Sequence, residues 1–278
     1  DYIQTEAKDG LAPGGLGDWY DYGHGKPPGP SRFTPPTLSA TATWGLCALT
    51  VARAAEALGR PDEAARYRAL HARIAADFCR HFQDPTTRRL RHHGSPQCAN
   101  ALALNAELVA PADRPLLVED LIADLEQRGG QQTPGDVGHV HFIRALAQAG
   151  RSDVLHRVYS RDGTGSYGGI LAKGLTSMPE TWDAMMDGYQ SLNHCMLGHV
   201  MEWFYGYVGG IRQPPGGVGD ERAGEEPGAA RQHRRSEVVG VRGPVFHQAL
   251  LRPPGGEQRD RQPVVVRQLA HQRLVELP

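Results

Sequence analysis

Lysine is scarce in this chain: of 30 cationic residues only Lys8, Lys26 and Lys173 are lysines, a bias of a GC-rich gene rather than of chemistry. No charge of one sign is in excess either. A formal net charge of -1 gives no clustered cationic surface of the kind nucleic acid requires, so no nucleic-acid partner is expected. The four cysteines, Cys47, Cys79, Cys98 and Cys195, stand far apart with no CxxC spacing, which excludes a zinc knuckle and a disulfide framework and predicts reduced, mostly buried thiols. No apolar run approaches the roughly 20 residues that span a bilayer, so no membrane partner is expected. The opening "DYIQTEAKDG" has neither an initiating Met nor the basic-then-apolar pattern of a signal peptide. It reads as the start of a fragment or processed product, whose compartment, cytoplasmic or exported, it does not reveal.

What the chain does have is apolar content for a core: 40% of 278 residues, sufficient for one large domain or two small ones. Residues 1–33, rich in Gly, Pro and aromatics, read as a structured loop region. From Thr37 to Leu58 the sequence is apolar nearly all round, as in a helix packed on both sides, and Gly59 ends it. Pro61, with Asp62 and Glu63 behind it, opens a second helix to about Phe82. The same plan recurs at Gln97–Val109 with Pro111–Arg128, where Leu117, Leu121 and Leu125 repeat every four residues. A third pair runs Val137–Ala149 and Asp153–Tyr159, and a last helix, Ser191–Val208, carries Leu192, Met196, Val200 and Phe204 on one stripe. Helical hairpins joined alternately by tight turns and longer Gly-rich connections (9–33, 83–96, 129–136, 160–190) make an all-α fold, a toroid of inner and outer helices with the long connections gathered at one end around a pocket.

From Gln213 onward the composition changes. Ten Arg, nine Gly, eight Pro and seven Gln accompany a single aromatic, Phe246, whereas the first 212 residues hold 18 of 19 aromatics. Such a segment cannot readily offset its ordering entropy. It reads as a low-order tail, either natural or the out-of-frame translation of a GC-rich gene, and "PVVVRQL" (263–269) is its one strand-like run. The expected domains are therefore 1–212 and 213–278.

Three stretches could carry chemistry. "GLGDWYDYGHGKPPGP" (15–30) sets Asp18 and Asp21 among Trp19, Tyr20 and Tyr22. A sugar site needs rings for C–H faces and carboxylates for paired hydroxyls, although the same rings serve equally as core plugs under a loop. "GGLG" lacks the strand, spacing and Lys of a phosphate loop. "QQTPGDVGHVHF" (131–142) gathers Asp136, His139 and His141 at a helix start. Two residues apart on a helix, the histidines diverge by about 200° and cannot share a metal, while Asp136 is a helix cap or faces the pocket. "RRLRHH" (88–93) is a charged turn. In "MPETWD", Glu180 stands on a proline-preceded turn beside Trp182, and Asn193 and His194 open the next helix. A carboxylate so held can act as a general base, with Asn193 and His194 on substrate hydroxyls. Glu202 and Trp203 take structural roles. No metal or cofactor site is indicated.

"GLGDWYDYG", "TPGDVGH", "GGILAKGLTSMPETWD" and "SLNHCMLGHVMEWFYGYVGGI", in this order over about residues 10–212, resemble the bacterial α-L-rhamnosidases, whose catalytic domain is an (α/α)6 six-hairpin barrel. The resemblance implies hydrolysis of terminal α-L-rhamnosyl residues by inversion, in which an acid protonates the leaving oxygen and a second carboxylate activates water. It matches Glu180 to the general base, Trp182 and His194 to contacts of the rhamnose ring, and Asp18 and Trp19 to the lining of the same pocket. The family's general-acid motif, Asp-Glu-Arg-x-Gly-Trp followed by Gly-Asp, is absent from this sequence. The chain is accordingly expected to start after it, leaving the ring incomplete and the fragment alone inactive, with the tail in place of a C-terminal β-sandwich. The rival readings are a non-catalytic carbohydrate-binding fragment and another six-hairpin glycosidase or lyase; lyases of this fold commonly rely on Tyr, His or Arg, and "PETWD" counts against them.

Overall fold

Proline starts the principal hairpin of this chain, and the computed structural model shows why. It describes residues 2–91, 94–184 and 190–211, all within one unit, Asp1–Ala229. After a single turn, α1 (Tyr2–Glu6), in the region read as loop, come α2 (Pro36–Ala57) and α3 (Pro61–Phe82), each with Pro in its first turn. There the missing N–H is one the helix would leave unpaired in any case. α4 (Gln97–Asn105) and α5 (Arg114–Gln127) follow, then α6 (Gly138–Gln148), α7 (Ser152–Tyr159), α8 (Tyr167–Ala172) and α9 (Val200–Trp203). His92, His93, the tail from Gln213 and its strand-like run lie outside the described residues.

The layering follows from which helices are apolar all round. α2 packs on α3 and on α4, α4 on α5 and on α6, and α6 on α7 and α9. Thus α2, α4 and α6 form an inner layer, and α3, α5 and α7 each back their own partner, the arrangement expected of a toroid of helical hairpins. α4 buries Gln97 through Ala103 continuously, whereas α3 buries only Ala64, Ile74 and Phe78 and gives its other faces to water. Phe78, Leu38, Leu102 and Leu117 belong to one core cluster, and Leu121, Leu125, Phe142 and Leu155 to a second. The four-residue spacing of Leu117, Leu121 and Leu125 lets α5 serve both. Each such side chain contributes about 1.5–3 kcal/mol by leaving water.

Four expectations need correction. α4 ends at Asn105 rather than Val109, because Glu107 turns into the left-handed region (φ 54°) and Leu108 N–H returns to the Ala103 carbonyl. α8 lies within a stretch read as connection; Ser166 starts it, its Oγ accepting from Gly169 N–H at 3.0 Å. The last helix is not continuous: a 3-10 turn (Met196–His199), α9 and a π turn (Phe204–Val208) replace it. Its first residues are taken up by pairing with the 177–180 segment, and the wider final turn puts Trp203 in the core at 2% exposure while Phe204 stands 46% exposed. Of the cysteines, Cys98 is buried and Cys79 partly so, but Cys47 and Cys195 are exposed.

The charged turn behaves as read for its described part. Arg88 pairs with Asp113 at 2.8 Å, and Arg89 with Glu119 and Asp120, so the 83–90 excursion is tied to α5 and its preceding turn.

Candidate active site

Two loops far apart in sequence are laced together at the start of α6. Tyr22 N–H donates to the Thr133 carbonyl and Asp136 N–H to the Trp19 carbonyl, both at 2.7 Å. The Asp18 carboxylate accepts Gly135 N–H at 2.9 Å and Gly138 N–H at 2.7 Å. The strands of chain lie so close that a Cβ on Gly135 would stand 2.1 Å from the Trp19 carbonyl oxygen, so no other residue fits. Asp18 is 0% exposed, and burial pushes its carboxyl up to about 6 against the lowering effect of those two amides and the Cys98 thiol. Asp21, also buried, accepts Arg32 N–H (2.6 Å) and Phe33 N–H (2.8 Å) and fixes the far end of the opening loop. Trp19 stays partly exposed, edge-on to Tyr20 at 5.3 Å.

A second lacing holds the other side. Glu180 N–H donates to the Ser191 carbonyl, and His194 N–H to the Met178 carbonyl, each at 2.8 Å. Ser191 N–H in turn donates to Glu180 Oε2 at 3.0 Å. One carboxylate oxygen of Glu180 is thereby fixed while Oε1 has no hydrogen-bond partner among the described residues. His194 Nδ1 accepts Met196 N–H at 3.2 Å, which leaves Nε2 to carry the ring's proton as a donor.

Asp136 joins the two sides. The first amide of α6, Gly138 N–H, is taken by Asp18 and not by Asp136, which corrects the capping expectation. Instead Asp136 Oδ1 is buried with no hydrogen-bond partner. Burial is the main reason its carboxyl rises from an ordinary 3.8 to about 6, with His194 drawing it down and Glu180 raising it. Asp136, Glu180 and His194, read as site residues from separate motifs, thus sit within electrostatic reach of one another.

His139 and Trp182 belong to an aromatic cluster whose other members, Tyr159 and Tyr167, no motif marks. His139, 0% exposed, packs edge-on against Trp182 at 5.3 Å and lies 3.3 Å from the Tyr159 hydroxyl through Nε2; burial pushes it down to about 3, so it is neutral. Tyr167 meets Trp182 at 5.2 Å and Tyr159 at 4.8 Å and donates to the Leu197 carbonyl. His139, Tyr159 and Tyr167 come from three different helices, and no local pattern ties them together. His139 and His141 share His199 as a neighbour, while Arg144 and Glu202 act on His141 alone of the two.

Of the residues the sequence puts at the sugar, Asp18 and Trp182 are both buried. Asp18 spends its carboxylate on backbone amides, and Trp182, 3% exposed, is enclosed by His139 and Tyr167. Asn193 is exposed, its N–H on Ser191 Oγ at 3.2 Å. Glu202 forms a two-pronged pair with Arg144, and Trp203 Nε1 donates to Ser152 Oγ at 3.0 Å, which are the structural roles expected of them.

Comparison with known proteins bears on this arrangement. An α-L-rhamnosidase of Streptomyces avermitilis is 29% identical over 252 residues, covering 88% of this chain and 23% of the relative. One from Alteromonas sp. (strain LOR) is 26% identical over 228 residues, covering 77% of this chain and 24% of the relative. The chain thus spans about a quarter of the length of these relatives. The crystal structure of the S. avermitilis enzyme complexed with L-rhamnose superposes with a TM-score of 0.66 over 75% of this chain and 20% of that one. The α-L-rhamnosidase structure from Dictyoglumus thermophilum, 23% identical, shares the fold with a TM-score of 0.62 over 73% of this chain and 23% of that one. Residues 1–208 match the bacterial alpha-L-rhamnosidase 6 hairpin glycosidase domain, and the chain belongs to that family.

Proposed function

We propose that the protein carrying this chain hydrolyses terminal, non-reducing α-L-rhamnosyl residues of rhamnose-containing glycosides or oligosaccharides, by inversion, with Glu180 as general base. The observation that carries the proposal is the convergence of Glu180, Asp136 and His194 from two separately laced loops. Glu180 Oε2 is held by Ser191 N–H, and Oε1 is available to take a proton from water attacking the anomeric carbon. His194 offers its Nε2–H to a sugar hydroxyl oxygen. Asp136, whose side chain is partly exposed, accepts a hydrogen bond from a sugar hydroxyl, and Trp19, partly exposed, supplies a ring face. Trp182 and the aromatic cluster keep the Glu180 turn rigid, which is what a base positioned to within fractions of an ångström needs. The acid that protonates the leaving oxygen is not assigned to any residue described.

The test is hydrolysis of an aryl α-L-rhamnoside by the full chain as encoded, followed by proton NMR. The β-anomer of rhamnose appearing first supports inversion. First appearance of the α-anomer contradicts it, and binding of rhamnose without turnover favours the carbohydrate-binding alternative.

A further inference from the structure

The Asp18 carboxylate is an unusual fastener. It is 0% exposed and has no ionic partner among the described residues, and it reaches across 117 and 120 residues of sequence to Gly135 N–H and Gly138 N–H. Burying a charge to tie down a loop is expensive when a neutral acceptor would serve. The two amides it takes stand on either side of Asp136. Gly138 N–H is moreover one of the donors that the start of a helix leaves unpaired, and an Asp two residues ahead is well placed to capture such a group through a local side-chain cap. Asp136 does not do so: Gly138 N–H goes to Asp18, and Asp136 Oδ1 is buried without a partner. Its own N–H is held by the Trp19 carbonyl at 2.7 Å, the residue next to Asp18.

We propose that Asp18 is a positioning residue: by occupying the two backbone amides that flank Asp136, it denies that side chain its local cap and leaves the carboxylate facing Glu180 and His194. Asp18 touches no substrate. It acts through Asp136, and its importance depends on Asp136 and Glu180 working on the sugar as proposed above. When Asp18 is removed, Gly138 N–H is released, Asp136 swings to it, and the site loses a hydroxyl acceptor while the fold keeps its helices.

The experiment is a double-mutant cycle in the full chain as encoded, with an aryl α-L-rhamnoside as substrate. Asp18→Asn keeps the volume of the side chain but turns an N–H₂ towards one of the two amides. Asp18→Glu, which keeps the charge and shifts the oxygens by one methylene, is the second variant should the first fold poorly. Both are read at a temperature where far-ultraviolet circular dichroism matches the wild type. Asp18→Asn is expected to lower kcat/KM by roughly 10²-fold, the scale of a misplacement of about 1 Å, with KM carrying most of the change. Asp136→Asn should produce a loss of similar size. The double variant should lose roughly 10² rather than 10⁴, because both changes remove one contact. Multiplicative losses overturn the proposal, as does a lowered melting temperature with kcat/KM unchanged, which would leave Asp18 a loop fastener only. If Asp136→Asn alone retains wild-type kcat/KM, it is the sugar-site reading of Asp136 that fails, and the positioning role falls with it.

Discussion

Asp136→Asn should make the protein more stable and less active, with the stability gain present only at neutral pH. Burial lifts the Asp136 carboxyl from an ordinary 3.8 to about 6, a difference that corresponds to about 3 kcal/mol at 1.36 kcal/mol per pKa unit. The side chain is only partly buried, so solvent screening reduces this to about 1–1.5 kcal/mol. The sign follows from linkage. A carboxyl whose folded value is raised binds its proton more tightly in the fold, so its contribution is favourable below pH 4 and is lost as pH rises through 6. Asparagine has the same shape and no charge to desolvate. At pH 7.5 the variant should therefore melt about 2–6 °C higher, at roughly 2–4 °C per kcal/mol for a domain of this size, and at pH 4 the two proteins should melt together. Thermal unfolding by circular dichroism at both pH values, beside a rate assay, decides the matter. A lower melting point at pH 7.5, or a gain that persists at pH 4, would refute the reasoning.

Other expectations test the scaffold. Phe78→Ala, at a fully buried position where α3 meets the inner layer, should cost about 3–5 kcal/mol in chemical denaturation. Arg144→Ala removes the pair with Glu202, whose side chains are 37% and 41% exposed, and should change stability by less than about 1 kcal/mol. Ser166→Ala removes the cap of α8 and should cost about 1 kcal/mol, with faster proteolysis in the 160–175 stretch as a second readout.

How much of this was legible in the sequence depended on range. The hairpins were, because Leu117, Leu121 and Leu125, or Pro61 with its acidic followers, signal through neighbours three and four residues away. α8 was not, because Gly168 and Gly169 look like loop residues; they are glycine because a Cβ on either would lie 2.2 Å from a carbonyl oxygen, of Arg161 or Gly163. The final helix is shorter than its spacing predicts for a related reason. Its residues 191–194 have helical spacing, yet Ser191 and His194 bond to Glu180 and Met178 instead, and nothing local records that competition. Local sequence predicts Asp136 as the cap, but Gly138 N–H goes to Asp18, a residue more than a hundred positions earlier. Asp136, Glu180 and His194 were each found from motifs, but their convergence is a property of tertiary structure alone.

The account turns on what Glu180 does, and Glu180→Gln tests it most directly. The amide keeps the size of the side chain but cannot take a proton from water. In the full chain as encoded, the variant should retain the wild-type circular dichroism spectrum and bind rhamnose by calorimetry, while kcat on an aryl α-L-rhamnoside falls by at least roughly 10²–10⁴-fold. Turnover within a few-fold of wild type in a folded Glu180→Gln protein would contradict the central claim.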